Sequence, residues 1–170
     1  MYNFRNSELF RDMEYALLIL FSFFIPLFVH NQILTGIAVN CAIVLSSLRF
    51  KRIYSLPVMF LPSLGVFFSG IIFGNLTKYI IYLIPFIILG SFVLAESVQA
   101  SKNKIIGNIL GILLKVSVIF FPAFLFAKFG LIPESFIPAM GLLQIITAFI
   151  GSVFAQTIAK SMDKSQASRI

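Results

Sequence analysis

The sequence predicts an all-α polytopic membrane protein, a compact bundle of six transmembrane helices, from three observations. Hydrophobic residues make up 59% of the chain and charged residues 11%, where a soluble domain carries about 25% charged residues. Mean hydropathy is +1.02. The apolar residues also fall into long runs, and a membrane helix needs ~20 of them to cross a hydrocarbon core about 30 Å thick. The 170 residues hold about six such spans with short connections, as a single integral-membrane domain over residues 1–170.

Taken in order, Met1–Asp12 is polar and mixed in charge, and residues 13–29 form the first span. Its apolar core runs past Pro26 into His30-Asn31-Gln32 without a small-residue cleavage site, so it reads as a retained helix and not a signal peptide. The second span, 33–48, carries Thr35, Gly36 and Asn40 and is expected to begin as irregular backbone. Arg49, Lys51 and Arg52 follow as a basic loop. The third span, 54–73, contains Pro57 and Pro62, which remove backbone donors and are expected to bend or break it near its start. A polar turn at 74–78 leads to the fourth span, 79–95, and Glu96–Lys104 reads as the most hydrophilic interior loop. The fifth span is 105–126, the sixth is 136–159, and a polar, basic tail follows.

The basic residues test this layout. With the N-terminus inside, ten Lys and Arg fall on inner segments, and two, Lys78 and Lys128, on outer ones. That bias predicts an N-in, C-in, multi-pass protein of the cell membrane. The net charge of +7 is thereby read as orientation in the lipid bilayer, with no nucleic-acid partner.

Most chemistry is excluded for want of residues. All six acidic residues fall in loops or near span ends, and His30 is the one histidine, so neither a carboxylate pair nor a multi-histidine metal site is available. Cys41 is the single cysteine, which excludes an internal disulfide. There is no G-x-S-x-G elbow and no Walker-type loop. We therefore expect no catalytic residue, no metal and no cofactor, and an ATP-driven process would need another chain.

One charge stands apart. Lys115 lies near the centre of the run Ile105–Phe126, where a cation costs about 2.5–3.5 kcal/mol and usually faces a bundle interior or a wet cavity. Its available partners are Asn40, Gln144, backbone carbonyls, water or a ligand. His30, Gln32, Asn40, Asn75, Lys115 and Gln144 together would furnish an outward-open, apolar-walled cavity for a small molecule, and Lys115 would favour an anionic one. For Asn40 and Gln144 the competing reading is an interhelical hydrogen bond. For Lys115 it is escape of the ammonium along its stem to the interface. The small-residue pairs Ala38/Ala42, Gly70/Gly74 and Gly107/Gly111, and the stripe Ala148, Ser152, Ala155, Ala159, let helix backbones approach closely. Internal packing is one reading of them, and subunit docking through Ala38 and Ala42 is the other.

The stretches Asn31–Ala42 (NQILTGIAVNCA), Leu61–Gly70 (LPSLGVFFSG), Ile84–Gly90 (IPFIILG) and Met140–Ala155 (MGLLQIITAFIGSVFA) resemble the small six-helix S-components of energy-coupling-factor (ECF) transporters. Ser91 stands where many of those proteins carry Asn. The resemblance implies a substrate-capture subunit for a vitamin or another micronutrient, with a transmembrane coupling subunit and cytoplasmic ATPases as partners. A different class accounts for the same size and basic inner face: a non-transport membrane scaffold of an envelope or cell-shape assembly.

Overall fold

The computed structural model describes residues 2–70 and 74–167, without the side chains of residues 2–7, Asn75 and 165–167. The described chain is helical throughout, with no strand. Its elements are α1 (Tyr2–Phe28), α2 (Gln32–Arg49), α3 (Arg52–Ser69), a 3-10 segment (Gly74–Tyr82), α4 (Ile84–Ala100), α5 (Lys104–Lys128), α6 (Phe136–Met140) and α7 (Leu142–Ala167).

Among the described residues, four helical segments are long and apolar enough to cross a membrane: Gln32–Arg49, Arg52–Ser69, Lys104–Lys128 and Phe136–Lys164. A fifth qualifies if the 3-10 segment and α4, bent by 62°, count as one broken span. α1 falls short because Arg11, Asp12 and Glu14 sit within it; its uncharged part, Tyr15–Phe28, is only about 21 Å long at 1.5 Å per residue. Large apolar side chains such as Leu17, Phe28, Ile105, Phe121 and Leu142 are more than half exposed on the outside of the bundle. Water would penalise so much apolar surface, and lipid does not.

Several local expectations are corrected. α2 is helical from Gln32, because the Asn31 side chain accepts from the Ile33 and Leu34 amides at 3.0 and 3.1 Å and caps the first turn. α3 runs as one helix with Pro57 and Pro62 inside it. The hydrophilic stretch 96–104 is mostly not a loop: α4 continues to Ala100. Glu96 pairs with Arg52, and Gln99 donates to the Phe50 carbonyl at 3.2 Å, so these polar residues bind neighbouring elements. Lys104 then donates to the Val98, Gln99 and Ser101 carbonyls and closes the end of α4.

The predicted fourth span begins as a 3-10 segment and turns into α4 at Leu83, with Pro85 in its first turn, where a missing N–H costs nothing. The sixth is likewise divided, into α6 and α7 at Gly141. A Cβ at Gly141 would stand 3.0 Å from the Phe120 ring, so the break lets the chain pass close to α5.

Of the small-residue pairs, Gly107 and Gly111 form a true helix seam. Added Cβ atoms there would meet the Ser97 carbonyl at 2.6 Å and Leu94 at 2.9 Å, both on α4. Gly70 and Gly74 do not pack against anything within 4 Å; their φ values of +63° and +53° instead serve the turn after α3. α2 and α7 also approach closely at Gly151, which forms a small-residue pair with Ala155 beside the stripe named above. A Cβ on Gly151 would lie 2.6 Å from the Ile37 carbonyl and 2.8 Å from the Cys41 amide.

Two apolar cores result. One gathers residues of α1, α2, α3, α4, α5 and α7, among them Ile43, Met59, Leu94, Ile112 and Ala155. The other is built from Leu83, Ile119, Ala123, Ile132, Phe136 and Met140, at the end of the bundle where α4 and α7 are broken.

Candidate functional site

Three elements carry residues of both cores, and each places a buried polar residue between them. On α4, Ser91 lies between Ile87, packed on the second core, and Leu94 of the first. On α5, Lys115 lies between Ile112 and Ile119, positions that share one face of the helix. Along α6 and α7, Thr147 lies between Met140 and Ala148. Asn40 of α2 completes the layer, two residues before Ala42 of the first core. All four are at most 3% exposed.

The side chains meet. Lys115 Nζ donates to Asn40 Oδ1 at 2.5 Å and approaches Ser91 Oγ at 3.5 Å. Asn40 Nδ2 donates to the Gly36 carbonyl at 2.8 Å and to Thr147 Oγ1 at 3.4 Å. Thr147 Oγ1 donates to the Leu143 carbonyl, 2.8 Å away. Backbone spacing permits this: a Cβ on Gly36 would stand 2.9 Å from Thr147 Cγ2, and one on Gly90 would stand 3.2 Å from Lys115 Cγ. Lys115 thus stays inside the bundle and does not run out to an interface.

The predicted residues are only partly gathered here. Asn40 and Lys115 are joined directly. Gln144 lies one turn before Thr147 and is half-buried. His30 is exposed and Gln32 half-buried, at the junction of α1 and α2. Asn75 lies outside the described side chains. Ala42 is 2% exposed and belongs to the first core, and Ala38 is half-buried. Ser91 and Thr147 were not singled out as site residues. Nothing local marks them, because both are small hydroxyl residues of the kind that back-bond inside helices.

A second polar side chain shares the Lys115 face of α5. Asn108, two turns away, is 4% exposed, and neither its oxygen nor its nitrogen finds a hydrogen-bond partner. The cost of leaving an amide so placed is about 1–3 kcal/mol.

Charge is arranged differently at the basic end of the bundle. Arg49 grips Glu14 with Nε and Nη2 at 2.9 and 3.0 Å, and its Nη1 reaches Asp163 at 2.7 Å. One guanidinium thereby ties α2 to α1 and α7, and Arg52 with Glu96 ties α3 to α4. No ion pair is found at the opposite end among the described residues, and no cluster of His, Cys, Asp or Glu there or elsewhere among them is fit to hold a metal.

A groove of about 640 Å³ runs along the outside of α1, α2 and α7, lined by apolar side chains such as Phe21, Phe24, Ala42 and Leu45, with Glu14 at one end.

Fold and layer together describe a helical bundle with several helices long and apolar enough to cross a membrane, and a lysine sealed among neutral partners. No protein-family model, curated protein or solved structure matches the chain.

Proposed function

We propose that this protein is the substrate-capturing subunit of a small-solute importer, of the kind that ECF S-components represent. It would take its ligand from outside and deliver it with a coupling subunit and ATPases. The observation that carries the reading is the polar layer: four helices spend their central polar residues around one buried lysine that has no carboxylate beside it. The end of the bundle beyond that layer is closed by a bent 3-10 segment and a five-residue helix. Such short, broken elements can part at lower cost than packed full-length helices.

In this reading α1 and the broken 3-10/α4 unit also cross the membrane, giving six spans with both termini inside. The thick basic end, with Arg49, Arg52 and Lys104, faces the cytoplasm. Single cysteines introduced at His30 and Lys102 on a Cys41→Ser background test the topology. Labelling by an impermeant thiol reagent on intact cells should reach position 30 and not 102.

The capture reading itself is tested by mass spectrometry of small molecules that co-purify with the detergent-solubilised protein. A bound metabolite, depleted in Asn40→Leu, is expected. A purified protein free of any metabolite, which also mediates no uptake when its host supplies the ATPases, would count against it.

A second reading, a membrane scaffold subunit, draws support from the apolar groove along α1, α2 and α7, a surface that another membrane helix could fill. Crosslinking from Phe24 to an envelope protein, with no bound metabolite, would favour it.

A further inference from the structure

The polar layer is rich in donors and contains no anion. Lys115 brings three N–H groups, two of which are directed at Asn40 Oδ1 and Ser91 Oγ. Asn40 adds two more through Nδ2, and Ser91 and Thr147 add one hydroxyl each. Every acceptor that Lys115 reaches is neutral. The six acidic residues of the chain all lie elsewhere: Glu14, Glu96 and Asp163 are in ion pairs, Glu8 and Asp12 lie exposed on α1, and Glu134 lies exposed before α6. When protonated, Lys115 has no counter-charge in the layer, and a charge-assisted hydrogen bond to an anion is about twice as strong as a neutral one.

We infer that the layer is a carboxylate-binding site, in which the carboxylate of a small organic anion takes the place of Asn40 Oδ1 on Lys115. The inference rests on the capture reading above and names its ligand class. The carboxylate would accept from Lys115 Nζ and from the Ser91 hydroxyl, and from Asn40 Nδ2 once that side chain turns. Gly90 keeps the lysine stem in position, since a Cβ there would press on Lys115 Cγ and on Ile119 at 3.0 Å. A single ammonium with no guanidinium fork suits a monoanionic carboxylate and not a phosphate dianion, which needs more cations than the layer holds. The way in lies through the second core, which is apolar and crossed by no ion pair among the described residues.

The test is thermal unfolding of the purified full chain in detergent, with solute pairs that differ in charge alone. Acetate is compared with acetamide and benzoate with benzamide, at constant ionic strength, with sodium chloride as the control anion. The carboxylates should raise the melting temperature in a concentration-dependent way and the amides should not. In Lys115→Met the apparent affinity should fall about tenfold or more. Asn40→Asp, which supplies its own carboxylate to Lys115, should lose the response as well, and decides the matter if Lys115→Met does not fold. Equal responses to acid and amide, no response to any carboxylate up to about 100 mM, or an intact response in Asn40→Asp overturns the inference. A neutral metabolite that co-purifies with wild type and is retained in Lys115→Met would also overturn it, while leaving solute capture standing. A carboxylate response in a protein that supports no uptake would do the reverse.

Discussion

The two ends of the bundle are held by different forces. At the basic end, Arg49 joins α1, α2 and α7 through two carboxylates, Arg52 joins α3 to α4, and Gln99 and Lys104 bind backbone carbonyls. At the opposite end, Leu83, Ile119, Phe136 and Met140 pack around a bent 3-10 segment and a five-residue helix without an ion pair among the described residues. Lipid offers no hydrophobic drive between helices, so this second core is held by dispersion and shape. One end is thus tied by directional bonds and the other merely filled, with Lys115 at the boundary. A bundle built this way is expected to open at the filled end first.

Four substitutions break or sharpen that contrast, each read from thermal unfolding followed by the reactivity of Cys41, the single thiol of the chain. Arg49→Met should cost most, about 3–5 kcal/mol, because it leaves the Glu14 carboxylate without its partner at a site where that side chain is only 9% exposed. Phe136→Ala should cost about 3 kcal/mol, the low end for such truncations since lipid supplies little of the transfer term. It should also loosen only the filled end, seen as faster hydrogen exchange in α6 with α2 unchanged. Gly151→Ala should cost about 1–3 kcal/mol, because its new methyl meets backbone of α2 and not a movable side chain. Arg52→Gln should cost least, at most about 1 kcal/mol, as its side chain is 64% exposed. If Arg49→Met and Arg52→Gln prove equal, the ion pairs do not hold the basic end as described.

Much of the fold was legible because apolar run length and capping residues are local signals. The runs that became α2, α3 and α5 were placed to within a few residues, and Asn31 and Asn103 now cap the helices that follow them. The stretch 96–104 reads as a loop on hydrophilicity alone, but Glu96, Gln99 and Lys104 spend their polar groups on Arg52, Phe50 and the end of α4 and not on solvent. The break at Leu83 and the turn at Gly141 lie inside runs that read as single spans, because apolar run length does not show where a helix is interrupted.

For the candidate site, run length puts a lysine near the centre of the fifth span with no carboxylate expected at its depth, and leaves open whether its ammonium stays inside or escapes to the interface. Composition and spacing suffice for that placement, since charge and run length are properties of the chain. Packing settles that it stays inside and which neutral groups receive it. The Lys115–Asn40 bond spans 75 positions and exists because Gly36, Gly90 and Gly151 let α2, α4, α5 and α7 approach within side-chain reach. Such a distance is set by packing, which no local pattern in the sequence records.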